Sequence, residues 1–209
     1  MKRFATFLIA ACALSAGATG LNDLESFIKG VKSGKAEFSQ VVTAPAKEGQ
    51  VARSKVSSGT FEFLRPGRFK FIYKKPFEQT IVADGQTLWL YDVDLNQVTS
   101  RKQAQALGST PAALIASSAD LKALQADFAL ADAADKDGLQ WVQGAPKAKE
   151  SQLQSVRVGF KQGQLAVLEI VDSFGQRSVL TFSSFAANAP LDAASFQFKP
   201  PAGADVVQQ

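Results

Sequence analysis

Hydrophobic and polar residues change their period several times along this chain. From Asn22 to Gly34 the residues Leu24, Phe27, Ile28 and Val31 recur at three- and four-residue intervals, which makes one apolar stripe on a helix. Asn22 is placed to cap that helix, Glu25 stands three residues on in the capping-box position, and Gly34 is placed to end it. At Lys35 the period falls to two. Ala36, Phe38 and Gln40 alternate with Glu37, Ser39 and Val41, the signature of a strand, and the polar stretch Thr43 to Lys55, with Pro45 and Gly49, reads as a loop.

The most concentrated pattern follows, from Phe61 to Phe77: FEFLRPGRFKFIYKKPF. Side chains alternate faces along a strand, so Phe61, Phe63 and Arg65 point one way, and Phe69, Phe71 and Tyr73 share a parity of their own. A two-residue turn at Pro66 and Gly67 would pair Arg65 with Arg68 and put the two aromatic sets on opposite faces. One more residue in the turn, or a bulge, aligns them. The aligned hairpin is the expected one, because it gives one continuous aromatic surface carrying a single guanidinium. The ordinary reading of such a hairpin is sheet core with a solvated turn arginine; the sharper one makes Arg65 a buried cation that needs a partner.

Beyond Pro76 the strands continue: Gln79 to Ala83, the Asp84-Gly85 turn, Leu88 to Val93, the turn at Asp94-Leu95-Asn96, and Gln97 to Ser100. Residues 102–126 interrupt them. Thr110 caps a short helix with Pro111 in its first turn and Ala112 to Ala116 as its apolar body, and a further turn or two covers Asp120 to Gln125. Helices this short must lie against a sheet or a hollow. Five more strands follow, at Asp127 to Ala131, Leu139 to Gly144, Leu153 to Phe160, Gln164 to Val171 and Gln176 to Phe182. A last short strand is expected at Phe196 and Phe198, stopped by Pro200 and Pro201. The class is α+β, a strongly curved antiparallel sheet with its helices on one face, in a single domain.

The N-terminus reads differently. Lys2 and Arg3, the apolar run Phe4 to Leu14 and the small residues Ala16-Gly17-Ala18 make a secretory signal peptide, with cleavage after Ala18 or, as second candidate, Gly20. The mature part, residues 19–209, is then exported. Its removal takes away two basic residues and no acidic ones, so the formal charge falls from +4 to +2, too mild a balance to argue for nucleic acid. The single cysteine, Cys12, leaves with that segment. Retained instead as an acylated N-terminus after Ile9-Ala10-Ala11, it would make the protein lipid-anchored.

Catalytic chemistry finds little support. The chain has no histidine and no glycine-rich phosphate loop, which removes the usual nucleophile-base pairs, zinc sites and nucleotide cradles. Asp92-x-Asp94-x-Asn96 fails as a calcium loop, since Gln97 takes the glycine position and Gln103 that of the bidentate glutamate. No enzyme activity, metal or cofactor is expected.

The run Gly59 to Val98, with F-x-F-x-R-P at 61–66, F-x-F at 69–71, P-F-E-Q at 76–79, I-V-A-D-G at 81–85, L-W-L-Y-D at 88–92 and L-x-Q-V at 95–98, resembles the LolA family of periplasmic outer-membrane lipoprotein carriers. Thr110-Pro111 with Leu114-Ile115-Ala116, and Phe196-x-Phe198-x-Pro200-Pro201, extend the resemblance over essentially the whole mature chain. It implies an incomplete β-barrel closed by a helical lid over a hydrophobic cavity. It further implies a monomer that takes acylated lipoproteins from an inner-membrane ABC transporter and hands them to an outer-membrane receptor. On that resemblance Arg65 latches the lid through backbone carbonyls near Ile28, Ile115 and Ala116. The acyl-chain cavity is expected to be lined by Leu24, Phe38, Phe61, Phe63, Phe69, Phe71, Tyr73, Leu90 and Leu114. The fold is shared by a lipid-anchored acceptor, LolB, and by lipid- or peptide-sensing regulators, which stand as alternatives.

Overall fold

The computed structural model of the chain describes residues 19–46, 49–106 and 120–209. The signal segment expected at 1–18 and the helix expected at Thr110-Pro111, with Leu114, Ile115 and Ala116, lie outside the described residues.

Helix α1 runs from Gly20 to Gly30. Its cap is Thr19, not Asn22: the Thr19 hydroxyl accepts from the Asn22 amide, and the helix is closed at Val31, whose N–H donates to the Phe27 carbonyl, well before Gly34. Its first turn starts on a glycine because space demands it, since a Cβ at Gly20 would sit 2.4 Å from the backbone oxygen of Trp141.

Among the described residues twelve strands form one sheet. In chain order they are β1 (Ser33–Thr43), β2 (Ser54–Leu64), β3 (Arg68–Lys75), β4 (Gln79–Asp84), β5 (Thr87–Asp92), β6 (Gln97–Lys102), β7 (Phe128–Lys136), β8 (Leu139–Pro146), β9 (Leu153–Lys161), β10 (Gln164–Asp172), β11 (Arg177–Ala187) and β12 (Asp205–Gln208), arranged in the order β12-β6-β5-β4-β3-β2-β1-β11-β10-β9-β8-β7. Short turns between consecutive strands build the two meanders, and β1 joins them by pairing with both β2 and β11. β12 and β7 are the two outer strands of this order, so the barrel is incomplete.

The expected final strand at Phe196 and Phe198 is corrected. Asp192 caps a single 3-10 turn, Ala193–Phe196, that buries Phe196, and the strand comes after the two prolines, as β12, parallel to β6. A lone parallel pair at the end of an antiparallel meander leaves no local turn signal to read. The 3-10 turn packs on β3 and β4. Phe198 lies with Trp89 and Tyr91, at ring distances of 5.6 and 6.3 Å, so the C-terminal segment covers the outer face of the first meander.

Among the described residues the remaining α-helices are α2 (Gln103–Ala106) and α3 (Leu121–Asp127), the latter capped by Asp120 and extending past the expected Gln125. α1 packs against β7 to β10 and against α3, and together they lie over the inner face of the sheet. One contiguous apolar cluster joins their buried sides to the inward residues of both meanders.

A latched apolar interior

The central hairpin has the aligned form. Its connection is the three residues Arg65, Pro66 and Gly67, so Leu64 pairs with Arg68, Phe63 with Phe69 and Phe61 with Phe71. Both aromatic sets therefore face inward. Phe61 and Phe71 stack with centroids 4.4 Å apart, Phe61 and Phe63 at 5.6 Å, and Phe38 meets Phe71 edge-on at 5.2 Å. Phe61 and Phe63 are wholly buried, Phe69 and Phe71 nearly so. Tyr73 continues the row, 5.0 Å from Phe38, and its hydroxyl donates to Gln40 Oε1 at 2.9 Å. Gln40 Nε2 donates in turn to Ser178 Oγ, a polar belt across β3, β1 and β11. Burial pushes the Tyr73 phenol up to about 12.

Arg65 closes the other end of the row. Its Nη1 donates to the carbonyl of Val31 at 2.5 Å, its own amide donates to the Lys32 carbonyl at 2.8 Å, and the guanidinium lies 5.0 Å over the ring of Phe27 and 5.1 Å over that of Phe63. Burial brings it down to about 10, which leaves it protonated at neutral pH. The carbonyl it takes belongs to Val31, three residues past Ile28, because the Val31 carbonyl lies at the helix exit, where intrahelical partners run out. Ile28 itself is buried against the sheet.

Between α1, α3 and the second meander a hollow of about 30 Å³ remains, room for about one water molecule. Among the described residues lining it are Leu24, Ile28 and Arg65, and Arg65 is the only charged one. The rest of its wall includes Phe27, expected only as part of the helical stripe, and Phe128, Val142, Val156, Phe160 and Leu165, which were not singled out from the sequence. The sequence cue was available in the inward parity of β8, β9 and β10. The residues Phe38, Phe61, Phe63, Phe69 and Phe71 fill their half of the interior with one another, Tyr73 packs against that cluster, and Leu90 is half-buried on the inner face of β5.

Two other charged groups bear on the arrangement. On the outer face Glu62 lies between Lys35 and Lys70, at 3.2 and 3.1 Å, a bridge across β1, β2 and β3. Burial alone would raise its carboxyl, but the two ammonium groups hold it below the usual carboxylate range. In the first turn of α1, Asp23 is buried with one carboxylate oxygen lacking a hydrogen-bond partner, and burial, with Asp135 nearby, pushes its carboxyl up.

The family described as outer membrane lipoprotein carrier protein LolA matches residues 29–199. A protein of Albidiferax ferrireducens named outer-membrane lipoprotein carrier protein is 70% identical over 100% of both chains, and one of the same name from Leptothrix cholodnii is 54% identical over 93% of this chain and 88% of its own. Among solved structures, an uncharacterized conserved protein from Thermus thermophilus superposes with a TM-score of 0.52 at 13% identity, covering 90% of this chain and 98% of that one, and shares the fold. With an unclosed curved sheet, a helical lid and a family match over most of its length, this chain belongs to the LolA family of outer membrane lipoprotein carriers.

Proposed function

We propose that the protein is exported by its N-terminal signal segment, works as a monomer in the periplasm, and ferries lipoproteins from an inner-membrane ABC transporter to an outer-membrane receptor. The names borne by its relatives support the cargo. The physical need is plain: burial is favoured by about 0.8 kcal/mol per CH₂, so one long acyl chain in water costs on the order of ten kcal/mol. A shuttle must cover the chains and still let them go.

The observation that carries the mechanism is the Arg65 bond to the end of α1 above an interior that is otherwise apolar. With about 30 Å³ free, acyl chains enter only as the lid parts from the sheet. Parting breaks the Arg65–Val31 bond. The closed empty form is thereby favoured, the cargo is held less tightly than the cavity's area alone dictates, and release becomes possible. The aromatic row Phe38, Phe61, Phe63, Phe69, Phe71 and Tyr73, with Leu24 and Leu90, then supplies the apolar wall.

The test uses inner membranes carrying the transporter and a labelled lipoprotein. With ATP, the purified protein should release the label into a soluble one-to-one complex. Label that stays in the membrane, or that leaves equally well without the protein, overturns the reading.

A further inference from the structure

The turn that carries Arg65 has to be held still for the latch to close, because a hydrogen bond weakens steeply once its partners drift out of line. The β2–β3 ladder does not reach it. Pairing ends at Leu64 with Arg68, which leaves Arg65, Pro66 and Gly67 beyond the last rung. On the α1 side the turn is fixed by the Arg65 amide, which donates to the Lys32 carbonyl at 2.8 Å. On its other side it is fixed by Gln103, a residue that entered the sequence reading only at a failed calcium-ligand position.

Gln103 is buried where β6 passes into α2. Its Nε2 donates to the Gly67 carbonyl at 2.6 Å, its Oε1 accepts from the Gly85 amide at 2.9 Å, and its own N–H donates to the Gln86 carbonyl at 2.8 Å. The orientation of the side-chain amide is forced, since a backbone N–H can only donate and a carbonyl can only accept. Gly85 and Gln86 make the β4–β5 turn, which is stiff in its own right: Asp84 Oδ1 accepts from the amides of Gln86 and Thr87. The two turns lie close together, a Cβ at Gly67 falling 3.8 Å from the Gly85 Cα and 3.5 Å from Gln103 Nε2. One side chain thus carries the rigidity of a braced turn across to one that lies beyond its ladder.

Satisfying these backbone groups does not by itself call for a glutamine. Both turns border an open groove lined by Pro66, Arg68, Gly85 and Gln86, where water can serve the same carbonyl and amide. What the buried amide adds is a fixed position. Gly67 is two residues from Arg65, so Gln103 holds the base from which the guanidinium reaches the Val31 carbonyl and the rings of Phe27 and Phe63.

We propose that Gln103 is a positioning residue of the carrier: through Gly67 it sets the reach of Arg65, and so how strongly the closed empty form competes with cargo. The proposal rests on the latch described above, and the test separates the two. Gln103→Met keeps the length of the side chain and removes both of its bonds. In the wild-type background it should slow the dissociation of a fluorescent triacylated peptide about three- to tenfold, and in the Arg65→Leu background it should change the rate by no more than about twofold. Gln103→Glu keeps the acceptor for Gly85 but sets a carboxylate against the Gly67 carbonyl. Its slow dissociation at pH 7 should return to that of the wild type, measured at the same pH, once the carboxyl is protonated below about pH 4 and can donate. A general loosening of the fold reproduces neither result. Equal slowing by Gln103→Met in both backgrounds, a folded Gln103→Met with the wild-type rate beside a slow Arg65→Leu, or a Gln103→Glu defect that ignores pH each overturn the proposal alone. Wild-type dissociation in Arg65→Leu overturns the latch and this proposal with it.

Discussion

Replacing Arg65 by leucine separates two things that the side chain does. Its bond to the Val31 carbonyl is charge-assisted and contributes about 1.5–3 kcal/mol, and each of its two ring contacts adds about 0.5–2 kcal/mol. Against these stands the burial that lowers the group from its ordinary value to about 10. That displacement corresponds to about 3 kcal/mol, and to less where water still reaches the guanidinium. The burial offsets much of this sum of about 2.5–7 kcal/mol, and leucine fits the apolar surroundings, so Arg65→Leu should lower global stability by up to about 4 kcal/mol, a shift on the order of ten degrees in the melting temperature. The effect on cargo is different, because only the closed empty form gains from the bond. Its loss should tighten the hold on an acylated peptide by the same 1.5–3 kcal/mol, about 10- to 100-fold. The dissociation rate of a fluorescent triacylated peptide, and transfer of lipoprotein from the loaded variant to receptor-bearing membranes, measure this. Slower dissociation and poor transfer in a variant that still unfolds cooperatively are expected, together with faster amide exchange around Val31. Wild-type dissociation and transfer in a folded variant would refute the latch.

Three further outcomes follow from other positions. A methyl group at Gly59 would lie 1.9 Å from the Ile72 carbonyl oxygen, a backbone atom in the neighbouring strand, so Gly59→Ala should lose at least about 2 kcal/mol in urea unfolding, and an unchanged midpoint would count against the β2–β3 register. Tyr73 ionises only near 12 in the folded protein, against 10.0 for a free phenol, so its contribution to stability is whole below pH 10 and is lost as pH rises toward 12; in a Tyr91→Phe variant, phenolate absorbance at pH 10.5 while the protein is still folded would contradict this. The raised carboxyl of Asp23 works in the same sense: the fold bears no penalty while the group is protonated below about 3.8, and bears it fully once pH has risen through the folded value. Asp23→Asn should therefore compare more favourably with wild type at pH 7 than at pH 3 in thermal unfolding, and the reverse order would show that the buried carboxylate has a partner.

The hairpin around Arg65 was legible because its chemistry is redundant: Phe61 and Phe63 have the same parity as Phe69, Phe71 and Tyr73, so the two sets share a face when the turn has an odd number of residues, and the three-residue connection supplies it. The cap of α1 was not, since Thr19 and Asn22 are equally able to accept a backbone N–H and only the space at Gly20 decides between them. β12 was hidden for a different reason. Four residues after two prolines carry no periodicity, and their place beside β6 is set by the backbone bonds of Asp205 and Gln209 to Asn96 and Ser100, far away in the chain. The position of the hollow could not be read from polarity either, because inward residues are apolar in both meanders. What differs is bulk: phenylalanines on β2 and β3 interlock with one another, whereas Gly144, Val142 and Val156 on β8 and β9 leave the space unfilled.

In a sealed barrel the girth is fixed by the number of strands and their stagger, and widening it means tearing a ladder. Here β7 and β12 stand at opposite ends of the strand order, so the circumference has a seam. A wall with a seam is free to change its curvature without breaking an interstrand bond, so the number of strands sets no fixed girth on the interior. Capacity is then a matter of curvature, adjustable to one acyl chain or several without a change of fold.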